Sequence, residues 1–201
     1  MSIKRENEIT LKVNCSIEEL SNMLGIKGFK VVDKFTMNDI FMVPVSLKNN
    51  ISNFTSREIL KQAILIRDLK GLFSGNISKK LTFKKKEFDE NGDIISQESV
   101  NCAIKDANEA EKFLNAINYY KIMNIKESDV VYGKDDLEIA IKDIENGDTL
   151  IEVETVSNNP NIDTVEKLKS HITSLGLPLD TSNFFVKKAE VELDKIINNS
   201  L

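Results

Sequence analysis

Glu6-Asn7-Glu8-Ile9-Thr10-Leu11-Lys12-Val13 alternates strictly. Glu6, Glu8, Thr10 and Lys12 fall on one side of an extended chain, and Ile9, Leu11 and Val13 fall on the other. Period two with one apolar side is the pattern of a half-buried strand. The charged side of one such strand can simply face water. The same division repeated in other strands would raise the question of a shared polar surface.

The division is repeated. Leu137 to Ile144 and Thr149 to Val156 flank Asn146-Gly147, a hairpin signal because both turn residues tolerate positive φ. In the first arm Ile139 and Ile141 alternate with Glu138, Ala140 and Lys142; in the second Ile151 and Val153 alternate with Glu152 and Glu154. A second hairpin, Lys79 to Phe88 with Ile94 to Ile104, turns at Asn91-Gly92. There Lys80, Thr82, Lys84 and Lys86 share a side opposite Leu81 and Phe83. Ala63 to Leu69 places Ile64 and Ile66 against Leu65 and Arg67. Acids therefore collect on the outer strands in sequence, at Glu6, Glu8, Glu138, Glu152 and Glu154. Bases collect on the middle ones, at Arg67, Lys80, Lys84 and Lys86, while Lys12 shares the acidic strand. Two acids spaced Glu-x-Glu point the same way, about 7 Å apart. Acids on one wall and bases on another suit a metal-bound polyphosphate, with carboxylates on a hard cation and Lys or Arg on phosphate oxygens. An antiparallel sheet with helices on its apolar face and charges in solvent accounts for the pattern equally well.

The remaining elements are short. Ser16 with Glu19, Thr55 with Glu58, Asp106 with Glu109 and Asp163 with Glu166 each read as a helix start. The four helices they open carry the chain to about Gly25, briefly past Glu58, to Ile117, and to a stop at Gly176 and Pro178. Residues 182–197 read as a last helix. Residues 29–35 and 39–43 read as one strand or two, ended by Pro44, and 119–126 and 129–133 as two more. His171 falls beside an apolar helical stripe, as a boundary residue, and Cys102 reads as a small core residue.

Composition bounds the class. The 201 residues suit a single domain over 1–201. A domain of that size buries roughly 70% of its unfolded surface and needs no disulfide or metal staple. A net charge of −5 argues against nucleic acid as the main partner. Two isolated cysteines, no apolar leader and no membrane-length run lead to the expectation of a cytoplasmic protein with no membrane partner.

Five pieces taken in order resemble the CYTH, or triphosphate tunnel, superfamily, which includes class IV adenylate cyclases, thiamine triphosphatases and inorganic triphosphatases. Glu8-Ile9-Thr10-Leu11-Lys12 is similar to its Glu-x-Glu-x-Lys opening, and Asp39-Ile40-Phe41 to its Asp-x-Tyr-Phe. Ala63-Ile64-Leu65-Ile66-Arg67 resembles Ala-Leu-Arg-Ile-Arg, Leu81-Thr82-Phe83-Lys84 resembles Leu-Thr-Tyr-Lys, and Glu152-Val153-Glu154 resembles the closing Glu-Ile-Glu. The resemblance implies an α+β fold: a closed or nearly closed antiparallel β-barrel with helices packed outside. It implies a polar interior that binds a triphosphate with Mg2+ or Mn2+. On that basis Lys12, Arg67, Lys80, Lys84 and Lys142 are the candidate substrate-binding residues, and Glu8, Glu152 and Glu154 the candidate metal ligands. The implied activity is metal-dependent phosphoryl transfer on tripolyphosphate, thiamine triphosphate or ATP, by hydrolysis or by cyclisation. The alternative is a catalytically weak or inactive triphosphate-binding module. Four departures favour that alternative: Thr10 replaces the second opening acid, Leu65 an arginine, Asp129 the arginine of Lys-x-Arg-x-x-Tyr, and Lys142 an acid. No catalytic residue is assigned.

Overall fold

The computed structural model describes residues 8–48, 51–88, 94–155 and 159–198. Glu6 and the Asn91-Gly92 turn lie outside them, as do the side chains of Lys85, Lys86 and Glu98. The chain forms nine strands and five α-helices among the described residues, in the order β1 (Glu8–Val13), α1 (Ile17–Ile26), β2 (Lys30–Pro44), α2 (Ser56–Leu60), β3 (Ile64–Gly71), β4 (Ile77–Phe88), β5 (Ile94–Ala103), α3 (Ala107–Ala116), β6 (Tyr119–Lys134), β7 (Leu137–Ile144), β8 (Thr149–Thr155), α4 (Val165–Ser174), β9 (Leu179–Asp180) and α5 (Lys188–Asn198). They divide into two compact units, each assembled from separated segments. Unit 1 holds residues 1–36, 71–74 and 127–187; unit 2 holds 37–70, 75–126 and 188–201.

In unit 1 the first strand lies between two others, next to the end of the order. β1 pairs antiparallel with β8 on one side, from Glu8↔Glu154 to Lys12↔Leu150, and with β9 on the other. The order continues through β7 to β6, with Asp129 opposite Lys142. The alternation works as read. Ile9, Leu11, Ile139, Ile141, Ile151 and Val153 are essentially fully buried, packed with Leu20 and Leu24 of α1 and Leu168 and Ile172 of α4. Ser16 caps α1 by accepting the Glu19 N–H at 3.2 Å. Ser16→Ala should therefore cost about 1 kcal/mol, measured as a lower urea midpoint with unchanged slope.

In unit 2, β4 pairs with β3 and with β5. The core there is Ile40, Met42 and Ile66 packed under Ala107, Ala110 and Leu114 of α3. α2 opens with the expected capping box at Thr55 and Glu58. Ser56, buried, then donates a hydrogen bond to Asp194 of α5, and Arg57 pairs with Glu190 at 3.3 Å.

Several expectations change. The sheet is large and antiparallel, but it is not closed into a barrel: its hydrogen-bonded order runs from β5 to β9. β9 is only two residues long, too short a ladder to carry the sheet further. Residues 119–126 and 129–133 form one strand, because no Gly or Pro interrupts Lys126-Glu127-Ser128; residues 29–35 and 39–43 likewise form one. α4 is capped by Thr164, which accepts from the Lys167 N–H at 3.3 Å, while Asp163 pairs with the Lys167 ammonium at 2.8 Å. The last helix begins only at Lys188, since Phe184 and Val186 hydrogen-bond the backbone of Thr10 and hold that segment extended. Cys102 is exposed rather than core, on β5 at the end of the sheet order. No helix is long and apolar enough to cross a membrane among the described residues.

Candidate functional site

The pairing register of unit 1 assembles one polar face. Opposite residues share a side of the sheet. Glu8 and Glu154, Thr10 and Glu152, Glu152 and Ala140, Glu154 and Glu138, and Lys142 and Asp129 are all direct partners. Glu8, Glu152 and Glu154 thus come onto the same face, together with Lys12 and Lys142. Lys12 is ion-paired with Asp148 at 2.9 Å.

The centre of this face is not a cluster of acids alone. Lys142 is buried, 7% exposed, and lies between Asp129 Oδ2 at 3.2 Å and Glu152 Oε1 at 3.5 Å. Asp129 and Glu127 are buried as well. Burial alone would lower the Lys142 pKa, but Glu152, Asp129 and Glu127 outweigh it and push it up to about 12. The ammonium is therefore charged at any physiological pH. Two of the departures noted in the sequence are direct partners in the sheet. Asp129 stands where an arginine is expected and Lys142 where an acid is expected, and the two face each other across β6 and β7. Sequence reasoning counted them as separate losses. Counting back from a two-residue turn at Asp135-Asp136 would have placed 129 opposite 142 and exposed the pairing.

The candidate metal ligands are tested by the same geometry. Among the described residues, no three His, Cys, Asp or Glu side chains come together closely enough to hold a metal ion. Glu152 already faces the Lys142 ammonium, and Thr10 opposite it offers a hydroxyl in place of a carboxylate. The donor set thus does not fit a preformed magnesium or manganese site.

Unit 2 gathers the bases. Arg67 lies directly opposite Lys80, and Leu65 opposite Thr82, so Arg67, Lys80, Thr82 and Lys84 share one face as their parity requires. Lys80 is half-buried and Lys84 exposed. Arg67 has a prior commitment. Its Nε and Nη2 donate to the two carboxylate oxygens of Asp39 at 2.7 and 2.6 Å, and Asp39 is 1% exposed. Lys188, at the start of α5, adds an ammonium 3.5 Å from the same carboxylate. The sequence reading made Arg67 a phosphate contact alone and missed that Asp39, far away in sequence, fills its fork.

His171 lines a cleft of about 360 Å³ in unit 1 with Phe29, Asp135, Asp136 and Asn159, away from the polar face.

The chain matches no family model and no curated protein. It does resemble solved structures. A protein of Pyrococcus horikoshii superposes with a TM-score of 0.63 at 18% identity, over 94% of this chain and 99% of that one. A candidate adenylate cyclase of Vibrio parahaemolyticus does so with a TM-score of 0.57 at 12% identity, over 94% and 97%. A candidate adenylyl cyclase of Hippeastrum, with a dominant triphosphatase activity, gives 0.56 at 15% identity, over 97% and 96%. At these identities what is shared is the fold.

Proposed function

We propose, on the premise that this fold is CYTH-like, that the protein binds a triphosphate compound as a module whose phosphoryl-transfer chemistry is weak. The observation that carries the reading is the face of unit 2 on which Lys80 lies opposite Arg67, with Lys84 further along the same strand. Cations spaced along one strand match the separated charges of a polyphosphate, and each can donate to phosphate oxygens. Tripolyphosphate, thiamine triphosphate and ATP all carry that group. In unit 1, Lys12 and Lys142 already hold carboxylates, so a phosphate would have to displace Asp148 or Asp129 to reach them.

Weak chemistry follows from what phosphoryl transfer requires. Catalysis there is positioning and charge neutralisation, in which metal ions bridge the phosphates. With Lys142 among the acids Glu8, Glu152 and Glu154, unit 1 offers magnesium or manganese no preformed carboxylate set. The second reading is a metal-dependent triphosphatase or cyclase, favoured by the likeness to the Hippeastrum protein.

Calorimetric titration of tripolyphosphate, with and without magnesium, tests the first reading. Lys80→Ala should weaken binding by about 1.5–3 kcal/mol, roughly ten- to a hundredfold. Equal affinity in the native protein and in Lys80→Ala and Lys84→Ala would reject the basic face. Turnover of tripolyphosphate, thiamine triphosphate or ATP at ordinary enzymatic rates of about 1 s⁻¹ or more would select the second reading.

A further inference from the structure

We propose that Lys142 takes the place of a divalent cation on the polar face of unit 1: its ammonium is the counter-ion of Asp129 and Glu152, and this face keeps its acids together without a metal. The inference rests on unit 1 alone. It stands or falls separately from triphosphate binding through Lys80 and Lys84.

The register supplies the first argument. β7 lies between β6 and β8, so a lysine at position 142 reaches an acid on each side. Asp129 is its direct partner on β6; Glu152 is two residues along β8 from its direct partner, Leu150. Burial supplies the second. Asp129 at 1% and Lys142 at 7% exposure are both shielded from solvent, so the ion pair between them compensates charge that water cannot reach. Distance supplies the third. A divalent ion requires carboxylate oxygens at about 2.0–2.6 Å. Oxygens at 3.2 and 3.5 Å from an ammonium cannot close to that range around an added ion while Nζ stays between them. The lysine is also tethered to β7, so no mass action is needed to fill the position. It is a compact point charge, which makes it a fair substitute for a hard cation in charge and a poor one in coordination number.

The test uses manganese(II) with no phosphate present, titrated into the full chain and followed by the electron paramagnetic resonance signal of free ion. The native protein should bind it no more tightly than about 1 mM, the weak end of carboxylate sites. Lys142→Gln removes the charge and keeps a polar side chain one atom shorter. It should bind manganese at least about tenfold more tightly, since affinity follows ligand charge, and gain melting temperature on adding it. Adding Asp129→Asn to Lys142→Gln should abolish the gain. The native measurement decides independently should Lys142→Gln fail to fold. Tight manganese binding by the native chain that Glu152→Gln weakens would overturn the proposal. Absence of such binding, with Glu152→Gln making no difference, supports it. A folded Lys142→Gln with no tighter binding also overturns it.

Discussion

Arg67→Ala should lower the unfolding free energy by about 3–5 kcal/mol, the range for removing one partner of a buried ion pair. The effect is that large because of what is left behind. Asp39 is 1% exposed and receives both of its short hydrogen bonds from the guanidinium. Without Arg67 the carboxylate retains the Lys188 ammonium at 3.5 Å as a weaker neighbour. A role in ligand binding alone would leave stability without ligand unchanged, or raise it by relieving repulsion with Lys80. Urea unfolding of the native protein, Arg67→Ala and Arg67→Ala/Asp39→Asn separates these outcomes. The double variant should recover part of the loss, because the buried charge is removed along with its partner. A change of less than about 1 kcal/mol in the single variant, the value typical of exposed pairs, would show that the pair is not what holds Asp39.

The second large effect is expected at Lys142. Lys142→Met keeps most of the length of the side chain and removes the ammonium that faces Asp129 and Glu152. A loss of about 3–5 kcal/mol is expected at pH 7. Its pH dependence carries the sign of the cause. In the variant Asp129 keeps its burial and loses this ammonium, a change that pushes its folded pKa upward. The variant's folded state then binds a proton more readily than the native one, so the loss shrinks as pH falls and is greatest at neutral pH. In the native protein the pair behaves oppositely. The Lys142 value is raised from 10.5 to about 12. Its contribution is complete below the unfolded value near 10.5 and is lost only as pH rises through 12. Chemical denaturation at pH 4.5 and pH 7 checks this, and an equal loss at both values would rule out the carboxylates as the cause.

The two faces of β1, β7 and β8 were legible because period-two alternation and an Asn-Gly turn are local signals. Three helix starts were legible for the same reason: Ser16, Thr55 and Asp106 cap as read. The fourth was displaced by one residue. Asp163 and Thr164 can both cap, and Lys167 settled the choice by taking the carboxylate for its ammonium and the hydroxyl for its N–H. Long-range pairing was not legible. Helical periodicity from 182 onward is overridden where Thr10 accepts the Val186 N–H and donates its own N–H to Phe184. The bases on β3 and β4 were placed on the correct face. That Asp39 occupies Arg67 depends on which strands lie side by side, which one strand's pattern does not encode, whereas the facing of Asp129 and Lys142 needed only the Asp135-Asp136 turn to be counted. The parity of Glu8, Glu152 and Glu154 was read correctly, but the ammonium within reach of Glu152 changes what that face can hold.

The pairing of β1 with segments far along the sequence has a consequence for how the chain is made. Residues 8–13 leave the ribosome well before their partners, residues 150–154, 179–180 and the segment around 184–186. Unit 1 therefore cannot close until the residues around 186 have emerged. At about 5–20 residues per second the strand waits on the order of ten seconds or more with Ile9, Leu11 and Val13 uncovered. Contacts of such sequence separation also make the loop-closure entropy large, so refolding of unit 1 falls among slow, topology-limited reactions. The alternating strand that organises the finished unit is, during synthesis, an aggregation-prone segment, and Glu8 and Lys12 within it are the charges that keep it from pairing with the wrong edge.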